Sequence, residues 1–288
     1  MAEQIPRPAD LETLGLSFDE DLHHARFDLT ARVARHDGGL YGGTAIAASV
    51  VAMEAVTNRG ALWVTTQYVA TAKLGDSIEL ASEVLATGRK VTQVLVRGTQ
   101  DQRLLFVSVG STATPREGGL EGQYLVMPNV TPPEDNDPMI LGFGRSDGFR
   151  GFTEQVEYRQ ARLGEKEESA PPLVMWSRLR GGRSVTPAAI AFMADMVPGA
   201  IARAAGLIGG GASLDNSLRF GRIPRDEEWI LLELRGQMAI GSHAHGSVKV
   251  WTRDGALVAV GGQSANMMNM VDPKEFEGWE SLGMAPPL

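Results

Sequence analysis

Residues 40–56 read LYGGTAIAASVVAMEAV, and residues 180–208 read RGGRSVTPAAIAFMADMVPGAIARAAGLI. Each stretch has a Gly-Gly pair ahead of a run of small apolar residues. Residues 44–56 carry a single charge, Glu54, and residues 187–202 a single charge, Asp195. A helix that is apolar on every side either lies in a core or spans a membrane. Both runs are short for a span, each holds an acid, and the second also holds Pro198. Each is therefore expected to be a core helix wrapped by its own strands, with alanine and glycine letting the sheet approach closely.

The sequence around these runs repeats the same plan. LWVTTQYVATAKLGDSIELASEVLATG (62–88) and VTQVLVRGTQDQRLLFVSVGSTATP (91–115) follow the first, and SLDNSLRFGRIPRDEEWILLELRGQMA (213–239) and AHGSVKVWTRDGALVAVGGQSANMM (244–268) follow the second. Three or four strands are predicted in each half, the last two joined by a short polar turn. Asp254-Gly255 between apolar runs is a strong hairpin signal. Residues 115–144 are rich in Pro, Gly, Asn and Asp and read as a connection between two similar units. The expected division is an N-terminal unit at 1–118, a linker at 119–145, a C-terminal unit at 146–270 and a surface tail at 271–288. The fold class is α+β. A buried helix enclosed by an antiparallel sheet, built twice, is the pattern of a double hotdog: two antiparallel sheets, each wrapped around a long central apolar helix.

Composition bounds the chemistry. The 288 residues are 43% hydrophobic and 22% charged, an ordinary globular balance, and the net charge of −8 argues against nucleic acid or anionic membrane as a partner. No cysteine is present, which removes disulfides, thiolate metal sites and a cysteine nucleophile together. The N-terminus lacks a basic-then-apolar leader, so a cytoplasmic protein without stable membrane insertion is expected. No Gly-x-Ser-x-Gly elbow occurs. GLIGGGA (206–212) lacks the Lys-Ser/Thr of a phosphate loop. His243 and His245 share one predicted strand face with no third ligand nearby.

Asp195 is the most unusual residue, since burying an unpaired carboxylate costs several kcal/mol. It must be partnered, protonated or turned to a wet cavity, and a salt bridge to Arg203 or to a lysine is the plain structural alternative. Ser213 opens a strand in which alternation places Ser213, Asp215, Ser217 and Arg219 on one face. As an isolated serine it reads first as a turn cap after GLIGGGA. Gln263 follows two glycines in the last apolar strand, either at a strand end or aimed at a pocket.

Four of these stretches, LYGGTAIAASV (40–50), ASLDNSLRF (212–220), EEWILLEL (227–234) and DGALVAVGGQ (254–263), resemble the bacterial acyl-CoA thioesterase II family, a double-hotdog family. The resemblance runs from about residue 20 to about residue 270. It implies hydrolysis of acyl-CoA thioesters to fatty acid and CoA, a role in lipid metabolism, and no metal or organic cofactor. The family's catalytic Asp, Ser/Thr and Gln fall on Asp195, Ser213 and Gln263. By that likeness Asp195 is the general base and Ser213 and Gln263 position its water. Backbone N–H groups at a helix start suit the oxyanion, with Gly42-Gly43 and Gly181-Gly182 as the two candidates. Asp215 and Asn216 would anchor the strand and the pocket wall.

The chain departs from the family at Thr44, where Gln is frequent, and at Asn216, Leu218 and Arg219, where an aromatic pair is replaced; the acyl preference is left open. A hotdog hydratase would pair the Asp with a His on the same helix, and none follows Asp195. A non-catalytic acyl or acyl-CoA binder would keep the fold without the trio. Because sheet edges need cover, chains are expected to associate into dimers or tetramers.

Overall fold

The structure is a computed structural model that describes residues 5–114, 116, 118–139, 149–163, 172–272 and 274. The first half begins with α1 (Pro8–Leu14), β1 (Ser17–Phe18) and β2 (His24–Asp28), followed by α2 (Gly42–Thr57). Then come β3 (Gly60–Tyr68), β4 (Ser77–Thr87), β5 (Val91–Gln100) and β6 (Arg103–Ala113). The second half runs β7 (Pro138–Met139), β8 (Val156–Gln160), β9 (Leu173–Leu179), α3 (Pro187–Met193) and α4 (Val197–Ala204). It closes with β10 (Ile208–Phe220), β11 (Ile230–Ile240), β12 (His243–Thr252) and β13 (Leu257–Val271).

The composition of α2 explains its place. Every residue from Gly43 to Ala55 is buried, with β3, β4, β5, β6 and α3 around it. Asn58 stops it in the left-handed conformation that asparagine tolerates. Where β6 crosses the helix it carries Gly110, and a Cβ built there would meet Met53 Sδ at 2.7 Å.

The second apolar run does not form the expected long helix. It breaks between Met193 and Val197 into α3 and α4. Pro198 supplies the reason: it has no N–H to give to Ala194, and its ring would crowd that carbonyl. Asp195 sits in the break. The carbonyls freed there are taken up by two buried tyrosines. Tyr41 Oη donates to Phe192 O at 3.0 Å and Tyr158 Oη to Met193 O at 3.2 Å.

The expectation of two sheets is corrected as well. Among the described residues all strands pair antiparallel in one 13-stranded sheet, in the order β1-β2-β4-β5-β6-β3-β10-β13-β12-β11-β9-β8-β7. In each half the strand after the helical run lies beside the last strand, β3 beside β6 and β10 beside β13. The free edges of β3 and β10 then pair with each other, from Trp63↔Arg219 to Gln67↔Asp215. An unpaired edge in each half would otherwise present bare N–H and C=O groups.

The connecting segment packs onto the second half. Met127 and Val130 cover a cluster of Trp176, Trp229, Leu231 and Trp251, and Trp176 Nε1 donates to Thr131 O at 2.8 Å. Residues 140–145 of the expected linker and most of the expected tail, 273 and 275–288, lie outside the described residues.

Candidate active site

Asp195 is buried, and its carboxylate is held by neutral donors. Gln263 Nε2 donates to Oδ1 at 2.6 Å and Asn216 Nδ2 to the same oxygen at 2.8 Å. Among the described residues no cation lies within ion-pair distance of it, so the salt bridge to Arg203 or a lysine does not form. Burial pushes the Asp195 carboxyl up to about 6. The Asn216 and Gln263 amides, the Gly43 N–H and the charge of Arg35 restrain the rise. Desolvation wins because amides stabilise a carboxylate less than an ion pair does.

The structure brings Ser213 and Gln263 to this carboxylate. Gln263 Nε2 also donates to Ser213 Oγ at 2.7 Å, which leaves the serine hydroxyl hydrogen free to point elsewhere. Gln263 Oε1 is buried and has no hydrogen-bond partner among the described residues. Strict alternation along β10 fails at this point. Ser213 pairs with Ala265 and Asp215 with Ser264, so Leu214 is an extra residue, a β-bulge. The bulge reverses the parity. Ser213 faces inward with Asn216 and Leu218, and Asp215 turns outward, where its Oδ1 accepts the Ser264 N–H at 2.7 Å. Asn216 therefore touches the candidate base directly, a contact that alternation hid. The visible signal was an asparagine in step with Leu218.

The start of α2 completes the site. Its N-cap is Tyr41, which makes no side-chain cap bond. Thr44 and Ala45 give their N–H to Tyr41 O, and the Gly43 N–H faces Asp195. Gly42 has to be a glycine: a Cβ there would lie 2.6 Å from Asp195 Oδ2 and 3.2 Å from the Tyr68 ring. Tyr68 Oη donates to Gly42 O at 3.0 Å and fixes the turn. Tyr41 stacks on Phe152 with ring centroids 3.7 Å apart. Gly181 and Gly182, the other candidate pair, form a left-handed turn after β9 outside this cavity. The parallel between the two Gly-Gly pairs fails because α3 starts only at Pro187, where Thr186 Oγ1 accepts the Ala189 N–H at 2.9 Å.

Asp195, Ser213 and Gly42 open into a cavity of about 510 Å³, walled mainly by apolar groups such as Leu40, Tyr41, Phe152, Met196 and Pro198. Arg35, His36 and Thr71 stand among its polar lining. A desolvated carboxylate, an uncapped helix start and an apolar chamber can together activate a water against a carbonyl that carries an apolar substituent.

Family models fit the chain in two consecutive pieces. Residues 29–114 match the acyl-CoA thioesterase N-terminal domain and residues 129–267 the acyl-CoA thioesterase C-terminal domain. The chain belongs to the acyl-CoA thioesterase family. This thioesterase is thus a thioester hydrolase by family. It shares its fold with a thioesterase candidate from Novosphingobium aromaticivorans, at a TM-score of 0.79 and 29% identity over 88% of this chain and 98% of that one. A hot dog fold protein from Alicyclobacillus acidocaldarius superposes with a TM-score of 0.78 at 19% identity, over 92% and 100% of the two chains. The acyl-CoA thioesterase II TesB2 of Mycobacterium marinum does so at 0.71 and 22%, over 90% and 98%. No curated protein sequence matches. Among the described residues of this thioesterase, no helix is long and apolar enough to cross a membrane.

Proposed function

We propose that this double-hotdog thioesterase hydrolyses acyl-CoA by direct attack of water, with Asp195 as general base. The observation that carries the reading is a buried carboxylate held, among the described residues, only by neutral amides, at an uncapped helix start, facing an apolar cavity. Asp195 Oδ1 is occupied by the Gln263 and Asn216 amides. Oδ2, turned toward Gly42, is the oxygen left to take a proton. The water accepts from the Ser213 hydroxyl and donates toward Asp195 Oδ2, and Gln263 sets both of these partners through its Nε2 bonds to Asp195 Oδ1 and Ser213 Oγ. As the water oxygen bonds to the thioester carbon, its proton passes to Asp195. The carbonyl oxygen gains charge and takes the N–H of Gly42 at the positive end of α2, while the Gly43 N–H stays on Asp195. Collapse of the tetrahedral species breaks the C–S bond, and the proton on Asp195 passes to the departing thiolate.

The pKa of Asp195 suits this role, because a base that ionises near 6 is charged at neutral pH yet basic enough to accept a proton. The test is thiol release from a panel of acyl-CoAs with graded chain length, on the parent and on Asp195→Asn. Release by the parent and its near loss in the folded variant supports the reading. Equal release by both makes Asp195 structural.

A further inference from the structure

The Gly42 N–H and the Asp195 carboxylate come from different halves of the chain, and Tyr41 touches the elements that carry both. Its carbonyl takes the Thr44 and Ala45 N–H at 3.0 and 3.3 Å, which forms the first turn of α2 and fixes where the Gly42 N–H points. Its side chain crosses to the second half. There the hydroxyl donates to Phe192 O at 3.0 Å and to Asp195 O at 3.4 Å, two carbonyls of the break that holds the base.

The break deprives Phe192 O of its helical partner. Met196, four residues on, gives its N–H to Ala194 O at 2.8 Å instead. A buried carbonyl left without a donor is costly, so the Tyr41 hydroxyl favours the broken form. Tyr158 serves Met193 O in the same way at 3.2 Å, but it lies on β8, in the half that already contains Asp195. Tyr41 instead ties the break to the start of α2.

The ring that carries this hydroxyl is clamped. It stacks on Phe152 at 3.7 Å with 2° between the planes and meets Phe192 edge-on at 5.5 Å. Phe152 is held in turn by its N–H on Ala34 O at 2.7 Å. The backbones also approach closely. A Cβ on Gly43 would run into the Tyr41 ring and lie 2.6 Å from Phe192 O, so the first turn of α2 sits as near to the break as a glycine allows. Burial pushes the Tyr41 phenol well above its ordinary pKa, and the hydroxyl keeps the proton it donates.

We propose that Tyr41 is the positioning residue that sets the distance from the Gly42 N–H to the Asp195 carboxylate. Its carbonyl holds the donor and its hydroxyl holds the base. The role deepens the hydrolase reading above and rests on it. Water bonds to the thioester carbon while the carbonyl oxygen bonds to the donor, so donor and base must be spaced to fit one tetrahedral carbon. Binding of the unreacted thioester does not depend on that spacing, which is therefore felt in the transition state.

The test compares two variants that each lose one hydroxyl. Tyr41→Phe keeps the ring on Phe152 and frees Phe192 O. Its kcat should fall about 10- to 100-fold, the scale of a misplacement of up to about 1 Å, with KM near that of the parent. The acid limb of its pH profile should stay near 6, because Asn216 and Gln263 still hold the carboxylate. Tyr158→Phe removes an equivalent bond from the adjacent carbonyl and leaves α2 untouched. It should lower the urea midpoint as much as Tyr41→Phe does, with kcat near that of the parent. Gly43→Ala keeps the hydroxyl but forces the first turn of α2 off Phe192 O, and should repeat the kcat-selective loss. A CoA thioether ending in a trifluoromethyl ketone adds water to form a tetrahedral hydrate, and its Kd should weaken in Tyr41→Phe by the factor lost from kcat, while the Kd of free CoA stays in place. Parent-like kcat in Tyr41→Phe or in Gly43→Ala overturns the proposal and leaves the hydrolase reading standing. Equal losses of kcat in Tyr41→Phe and Tyr158→Phe, or a loss carried wholly by KM, also overturn it. A parent that releases no thiol from any acyl-CoA defeats the hydrolase reading and the positioning role together.

Discussion

The two helical runs of this molecule start and end differently. The start of α2 is uncapped and open to a cavity, and Asp195 faces it. The start of α3 is closed. Thr186 caps it and donates its hydroxyl to Asp10 Oδ1 of α1 at 2.7 Å. Glu54, near the end of α2, is as buried as Asp195, and burial raises its pKa as well. Its oxygens, however, take the Ala61 N–H at 2.8 Å and the Arg7 guanidinium at 2.5 Å. One half uses a buried acid to fasten the N-terminal helix to the core. The other surrounds its acid with amides and leaves it a path to a substrate. What separates structure from chemistry is the charge of the partners and the presence of an opening, while the surrounding frame of strands is the same.

The sharpest way to break this comparison is to neutralise each acid. Asp195→Asn should lower kcat by about 100- to 10,000-fold, the usual worth of a general base. It should also stabilise the fold in a pH-dependent way. Because the folded pKa is raised, the carboxyl favours the folded state while protonated and loses that advantage as pH climbs through about 6. A rise from 3.8 to about 6 corresponds to about 3 kcal/mol. Urea melts should therefore show almost no gain for Asp195→Asn at about pH 3, below the unfolded pKa, and a gain of that order at about pH 8. Glu54→Gln should change turnover little, and its gain in stability at about pH 8 should be smaller than that of Asp195→Asn, because losing the Arg7 ion pair offsets the relief of no longer burying a charge. Turnover that collapses in Glu54→Gln at unchanged stability would end the division of labour.

Next in size come the two helix starts. Gly42→Ala puts a Cβ against Asp195 Oδ2, and a displacement near 1 Å is worth about 100-fold in rate. Thr186→Ala at the closed start should cost the cap and the hydrogen bond to Asp10, about 1–3 kcal/mol together, with kcat unchanged. Steady-state kinetics beside thermal melts separates these outcomes.

The pH profile sharpens the role of the amides. For the parent, kcat/KM should rise with pH through about 6 as Asp195 ionises. Asn216→Leu removes a donor that favours the charged form, so the acid limb should move up, by about one pH unit for a hydrogen bond to a charged group. A limb that stays in place would show that Asn216 only shapes the wall.

The smallest effects belong to Ser213 and Gln263. Ser213→Ala and Gln263→Ala should each cost about 10-fold in kcat/KM, as one or two hydrogen bonds. Together they should cost less than the product, because both act on the same water. Strict additivity in a double-mutant cycle, or an acyl-serine found by mass spectrometry, would count against a shared water.

Much of this was legible in the residues. The apolar runs placed α2 and Asp195, since a lone charge in such a setting needs a partner. The Asp254-Gly255 turn placed the β12–β13 hairpin. Pro198 was visible in advance, yet its effect depends on Tyr41 and Tyr158 reaching the freed carbonyls, contacts of long sequence separation. The facing of Asn216 was hidden because a bulge at Leu214 leaves no mark in a pattern of period two. The seam between β3 and β10 was hidden for a related reason: a strand's own sequence does not name the edge it will pair with. Gly181-Gly182 misled because the same dipeptide serves a turn in one half and a helix start in the other.

The candidate site takes Tyr41 and Gly42 from one half and Asp195, Ser213 and Gln263 from the other, and the β3–β10 seam holds the halves together. In a pair of separate chains, such a site would come apart on dilution. Here a covalent connection fixes the local concentration of each half around the other, in the way a short tether turns a second binding event into an internal one. The specific activity of this chain should accordingly be independent of how much of it is present, down to concentrations at which two unlinked halves would have drifted apart.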